Sequence, residues 1–139
     1  MKKYTITCTE EQLNLIADAV EDWSRFLCGQ CGMNHAAWTL EHPERCRQLQ
    51  DTLEEKIPPI VVPDLPPHAS YSWNGGSCKV DAQRRAIAMS YGIYRQILHF
   101  KACQRPKDKW NVYQGETLTC KEQGPLIQIQ EIDVPDVEQ

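Results

Sequence analysis

The longest helical pattern in the chain covers residues 80–103 and reads VDAQRRAIAMSYGIYRQILHFKAC. Val80 and Asp81 are typical of a helix start, so we predict a helix over about residues 82–103. Apolar side chains fall on two neighbouring faces, which predicts that this helix is central. Gly92 in its middle costs about 1 kcal/mol relative to alanine and indicates a close approach of another backbone or a ligand.

Two further helices are predicted on either side of a glycine-containing turn. Thr9 and Gln12 form a capping box before a stripe of apolar residues at spacings of three and four, which predicts a helix over about 10–28. The stripe consists of Leu13, Ile16, Val20, Trp23 and Leu27. A helix over about 42–56 follows, with Pro43 in its first turn.

Three segments alternate between apolar or β-branched and polar residues, as strands do. They are residues 3–8, residues 111–120 and residues 126–132. The predicted fold class is therefore α+β, with two to three helices packed on a small antiparallel sheet of N- and C-terminal strands.

Composition is that of one soluble domain spanning residues 1–139, with 41% hydrophobic and 24% charged residues. The formal net charge of −4 argues against binding to duplex nucleic acid. No stretch resembles a signal peptide or a membrane span, so we expect a cytoplasmic protein with reduced thiols.

Residues 57–67 contain five prolines and should be extended, and the acidic residues 133–139 should fray.

Four residues have a spacing close to that of structural zinc sites: Cys28, Cys31, His42 and Cys46. The alternative is that Cys46 is a small core residue and Cys28 ends an apolar stripe. A domain of this size does not need a metal to fold, so we expect no metal and no cofactor. A redox role for Cys28 and Cys31 is less well supported than zinc binding. Redox cysteine pairs of this spacing lie at helix N-termini, whereas this pair lies at the predicted C-terminal end of a helix.

Catalytic motifs are absent from the sequence, which contains no nucleophile elbow, zinc-protease motif or phosphate-binding glycine loop. The turn at residues 74–77 could offer backbone amides to an anion, although an ordinary turn is the alternative. We therefore expect the protein not to be an enzyme.

The long helix concentrates basic and aromatic side chains, namely Arg84, Arg85, Tyr91, Tyr94, Arg95 and His99. Guanidinium groups bind phosphates in a bidentate manner and phenol rings stack on bases. In an acidic protein this cluster favours a small anionic ligand over duplex DNA. The alternative is a core helix whose arginines extend to solvent and whose tyrosines pack.

Four sequence motifs, in order, resemble a widespread group of small, mostly uncharacterised proteins encoded by bacteriophages and prophages. An arginine at position 25 precedes Gly29-Gln30, and residues 65–71 read LPPHASY. Residues 91–94 read YGIY, and residues 111–113 read NVY before PL at 125–126. Gly92 and Leu98 depart from the group, in which aspartate and arginine are expected.

The resemblance implies a phage protein that counters host defence. By analogy with known anti-defence factors, it implies a homo-oligomeric sponge that sequesters an anionic nucleotide immune signal without cleaving it, either a cyclic oligonucleotide or a cyclic ADP-ribose isomer. Under this hypothesis Arg25 and Gln30 join the basic and aromatic helix, facing Ser70, Tyr71 and Trp73.

Two alternatives remain open. The protein could inhibit a host protein by binding to it. The negative net charge and the proline-rich segment 57–67 are consistent with such a role. It could also be a small zinc-binding module built on the four residues above.

Overall fold

The computed structural model of the protein describes residues 1–104 and 111–135. Over these ranges it contains five α-helices: α1 (Glu10–Cys28), α2 (Asn34–Trp38), α3 (Pro43–Lys56), α4 (Pro58–Val61) and α5 (Asp81–Cys103). Two short 3₁₀ turns follow, at Val112–Gln114 and Lys121–Gln123. The three long helices predicted from the sequence are confirmed to within about a residue at each end.

Helix α1 begins and ends where its capping residues predict. The Thr9 hydroxyl accepts a hydrogen bond from the Gln12 backbone N–H at 3.1 Å, and the Gln12 side chain accepts one from the Thr9 N–H at 2.9 Å. Gly29 ends the helix at φ 108°, in the left-handed region that glycine adopts without strain.

The core of the fold is the antiparallel pair of α1 and α5. The Ser24 hydroxyl donates to the Ile87 carbonyl at 3.0 Å, and the Lys101 amine donates to the Asn14 side chain near the other end of both helices. Ile87 and Ile97 of α5 are fully buried. The width of the α5 apolar surface thus predicts its central position correctly.

The segment between α1 and α5 contains α2, α3 and α4, of which α2 and α4 contact α1 and α3 packs against those two short helices. The buried Asp22 carboxylate accepts the backbone N–H groups of His35 and Ala36 at 3.0 and 2.8 Å, which fixes the start of α2. Helix α4 places a helical turn in the proline-rich segment 57–67, so the expectation that this segment is extended throughout is wrong. Prolines suit the first turn of a helix, where their missing N–H is not needed.

The C-terminal tail runs back along α5. The Gln114 side chain donates to the Ala102 carbonyl at 3.2 Å, and the Thr117 hydroxyl donates to Gln96 at 3.1 Å. Farther along, the buried side chain of Gln123 packs directly against Gly92. Gly92 therefore does mark a close approach, but the approaching group is a side chain of the same chain.

The predicted α+β class is wrong, because no strand and no sheet occur in residues 1–104 and 111–135. Residues 3–8 have no regular secondary structure and are exposed, and residues 111–120 begin with a 3₁₀ turn. In residues 126–132 only Leu126 and Ile129 are half-buried. The alternating pattern therefore indicates neither strand pairing nor burial here, since residues 3–8 are exposed throughout and the two half-buried residues of the last segment are three positions apart rather than two.

The acidic tail predicted over residues 133–139 is only partly described. Residues 133–135 are exposed and irregular, and residues 136–139 lie outside the described ranges. Among the described helices, none has the length and apolar character required to cross a bilayer.

Candidate functional site

A chain of polar side chains links the end of α1 to the loop before α5. The Arg25 guanidinium donates to the side-chain Oε1 of Gln30 at 2.7 Å, and the Gln30 side-chain amide donates to the Ser70 hydroxyl at 3.2 Å. The left-handed turn at Gly29 brings Gln30 back over α1, where its backbone N–H donates to the Arg25 carbonyl at 2.9 Å. Three residues named from the sequence are thus brought together.

A row of three aromatic side chains joins the same loop to α5. The rings of Trp73 and Tyr91 have centroids 5.3 Å apart, and those of Tyr91 and Tyr94 are 6.4 Å apart. Both pairs are tilted, within the distance range of favourable aromatic contacts. The row combines one residue of the loop with two residues of the helix.

Glu21 connects the polar chain to the aromatic row. Its carboxylate lies 3.6 Å from the Arg25 guanidinium and 2.6 Å from the His35 ring. Burial, reinforced by the neighbouring Glu21 and Tyr113, raises the pKa of Tyr94 well above its usual range. Glu21 was missed by sequence reasoning, although its spacing of four from Arg25 is a detectable signal.

We call these two groups of residues, together with Glu21, the ring surface. It consists of Glu21, Arg25, Gln30, Ser70, Trp73, Tyr91 and Tyr94. Tyr71 lies in the loop between Ser70 and Trp73, but its side chain is buried in the core with Cys28 and Cys78. Burial, with Cys78 and Asp64 nearby, raises the pKa of Tyr71.

Arg84 belongs to a separate structural contact. Its guanidinium donates to the Cys78 carbonyl at 2.9 Å and to Asp81 at 2.7 Å, and lies 3.5 Å from Glu122. The hydrogen bond to Asp81 is the main reason that the pKa of Arg84 is raised. Because two carboxylates already neutralise this arginine, it is poorly disposed to bind a ligand anion.

Arg95 and His99 hold the tail against α5. The Arg95 guanidinium lies 4.7 Å from the centre of the Tyr113 ring, and the His99 ring hydrogen-bonds the Tyr113 carbonyl at 2.8 Å. Arg85 is exposed and lies about 120° around α5 from Tyr91, so these two residues of the predicted cluster do not share one side of the helix. Of the helix cluster, only Tyr91 and Tyr94 belong to the ring surface.

The zinc spacing is not realised as a site. In the described part of the chain, no group of three or more His, Cys, Asp or Glu side chains could hold a metal ion. The thiols of Cys28 and Cys31 instead approach the carbonyls of Ser72 and Phe26 at 3.6 and 3.4 Å. The His42 ring accepts the Arg45 backbone N–H at 3.3 Å and thereby caps α3.

Two surface cavities lie away from the ring surface. One, of about 520 Å³, borders the first half of α1. The other, of about 450 Å³, lies between α2 and α3 and is bordered by Trp38, His42 and Cys46.

Comparisons with known proteins add no family assignment, since no family model, curated protein or solved structure matches the chain. The chemistry of the ring surface must therefore be judged from its own side chains. It combines one guanidinium, one carboxylate, an amide, a hydroxyl and three aromatic rings. This is a set suited to holding a polar, partly aromatic molecule.

Proposed function

We propose that the protein is a non-enzymatic binding protein that sequesters an anionic nucleotide signal through the ring surface. The observation that carries the proposal is the position of Glu21, whose carboxylate lies 3.6 Å from the Arg25 guanidinium and beside Tyr94 at the end of the aromatic row. The resemblance to phage proteins supports the further proposal that the signal is one of host antiviral defence, bound in the cytoplasm of the infected or lysogenic cell.

Each part of a nucleotide has a matching group on this surface. The Arg25 guanidinium can form charge-assisted hydrogen bonds to a phosphate, and the exposed part of the aromatic row can stack on a base. The Glu21 carboxylate is an acceptor for ribose hydroxyl groups. A ribose-rich ligand, such as a cyclic ADP-ribose isomer, fits the added carboxylate better than a ligand recognised only by its phosphates.

Sequestration requires affinity rather than catalysis. A protein that binds and retains a signal lowers its free concentration when the dissociation constant lies below the active concentration of that signal. We propose that it works as a homo-oligomer, as the phage resemblance implies.

Isothermal titration calorimetry against a panel of cyclic dinucleotides and cyclic ADP-ribose isomers tests the proposal. We expect one ligand to bind, with recovery of the unaltered molecule after heat denaturation of the complex. Tyr91→Ala and Arg25→Ala should each weaken binding at least tenfold, because each removes a stacking or charged contact.

Arg45→Ala is the matched control for Arg25→Ala. Arg45 is an exposed arginine on α3, a helix that contacts α2 and α4 and carries no residue of the ring surface, so this variant should bind as the wild type does. Absence of binding to every nucleotide in the panel, or chemical conversion of the bound ligand, would contradict the proposal.

Binding to a host protein is the second candidate function, and one observation favours it. Trp38 is 76% exposed beside the cavity of about 450 Å³ between α2 and α3. Large exposed aromatic residues next to a pocket are common at protein interfaces. Loss of a stoichiometric host complex on Trp38→Ala, with ring-surface variants unaffected, would favour this candidate.

A further inference from the structure

The outward side of α1 carries no charge over four turns of helix. At 100° per residue, six residues share an arc of about 100° on this helix. They are Gln12, Leu15, Ile16, Ala19, Trp23 and Phe26, and we call them the α1 outer face. Leu15, Ile16 and Trp23 are exposed by 65%, 40% and 50%, and Trp23 stacks on Phe26 with ring centres 6.0 Å apart.

Beyond its first turn, the charged residues of α1 lie on the side that meets α2 and the ring surface. Asp22 is buried at the start of α2, Glu21 lies beside His35, and Arg25 contacts Gln30. Surface helices normally turn their apolar side inward and their charges to solvent. In α1 the solvent side is apolar, which indicates that another surface covers it.

Helix α5 extends this uncharged area. Met89, Ile93 and Phe100 recur at spacings of four and seven, so they share one side of α5. The helices α1 and α5 are antiparallel, and Ser24 contacts Ile87 between them. Because both helices are right-handed, this side of α5 then lies next to Ile16 and Trp23 of α1. Met89 is 50% exposed, and the other two are half-buried. The ring surface lies on the opposite side of the helix pair.

We propose that this face is the interface with a second copy of the chain, packed about a two-fold axis as a four-helix arrangement. The patch is about 22 Å long and about 20 Å wide from the helix rise and the spacing of packed helices. The product of these two lengths is a projected area of about 450 Å². Because protruding side chains make the accessible surface larger than its projection, the area that could be buried approaches the roughly 600 Å² per partner of the smallest specific interfaces. A patch of this size equals the largest apolar patches of typical monomers, which often serve a function.

A second copy suits this face better than an unrelated partner because a two-fold axis brings the same surface of the two copies into contact. Facing charges would repel across such an axis, and the face has none. The chain carries a net charge of −4, so two copies associate best through a surface from which charge is absent. The inference does not depend on the identity of any ligand or on the ring surface.

Sedimentation equilibrium of the full chain tests the interface. We expect the wild type to show twice the 16.0 kDa of one chain. Leu15→Glu should raise the dissociation constant of the dimer at least about 30-fold, because it buries an unpaired charge at the interface. Ile60→Glu is the matched control, since Ile60 is 75% exposed on α4 and is not part of the α1 outer face, and it should leave the dimer intact.

A second variant separates lost association from lost folding. Ala19→Arg adds a bulky charge at an exposed position and should dissociate the dimer while far-UV circular dichroism stays unchanged. A wild-type chain that stays monomeric up to about 100 μM would overturn the proposal. A dimer that persists in both Leu15→Glu and Ala19→Arg, with both variants folded, would also overturn it. So would a wild-type monomer that forms a stoichiometric complex with a different protein through this face.

Discussion

The side chain of Gln123 occupies the space that a Cβ atom at Gly92 would need. Its Cγ lies 2.6 Å from that position, closer than real Cβ contacts come. The tail is thus fitted to α5 at a position where only glycine lets it pack. The contact holds the 3₁₀ turn Lys121–Gln123 against the middle of α5.

Gly92→Ala should lower the free energy of unfolding by about 1–3 kcal/mol, because the new methyl group overpacks against Gln123. Urea denaturation measures the change. Gly115→Ala is the control, since its Cβ would meet only the Val112 carbonyl at 3.6 Å. Combining Gly92→Ala with Gln123→Ala should cost less than the sum of the single changes, and strict additivity would contradict the contact.

Asp22→Ala should destabilise the protein by about 1–3 kcal/mol, because two backbone N–H groups at the start of α2 lose their acceptor. Asp18→Ala removes a half-exposed carboxylate whose described ion pair is to His35 at 3.5 Å, and should cost less than about 1 kcal/mol. Thermal unfolding followed by circular dichroism compares the two. Equal losses would count against the capping role of Asp22.

Alkaline pH should weaken the fold in part through Cys28. Burial raises the pKa of this thiol from 9.0 to about 12, so the folded protein holds a proton that the unfolded chain releases. The corresponding stabilisation is fully present below pH 9 and is lost as the pH rises towards 12. Urea denaturation at pH 8 and pH 10 should show a smaller decline for Cys28→Ala than for the wild type. An identical decline would refute the assignment.

Thiol reactivity should divide the seven cysteines into groups. Cys8 and Cys103 are exposed and should react first with a disulfide reagent in the native state. Cys28, Cys31 and Cys78 are buried and should react only after unfolding. Mass mapping of modified residues at short times measures this order. Early labelling of Cys31 would show that the turn after α1 opens more readily than its packing implies.

The helices are predictable from the sequence because their signals are local. The Thr9–Gln12 capping box and the glycine at 29 define α1 without reference to the rest of the chain. The strands are wrongly predicted because an alternating pattern does not reveal what it packs against. Ile129 lies half-buried in the extended tail, although its neighbours suggested a strand.

The candidate site is predictable only in part. Arg25, Gln30 and Ser70 meet, and Tyr91 meets Trp73, as the sequence suggested. Glu21 was missed because an acid was not sought in an anion site. Arg84 lies outside the ring surface and pairs with Glu122 of the tail, 38 positions later, a contact that no local pattern shows.

The antiparallel pairing of α1 and α5 also governs how the chain folds. The Ser24–Ile87 contact joins residues 63 positions apart, and the Asn14–Lys101 contact joins residues 87 apart. Closing such loops lowers the entropy of the chain before the stabilising core contacts can form, which slows folding. During synthesis, α1 therefore leaves the ribosome well before its partner helix exists. Its apolar outward side and its core side are then both open to water, and early association with a chaperone or with another nascent copy is the physical consequence of this connectivity.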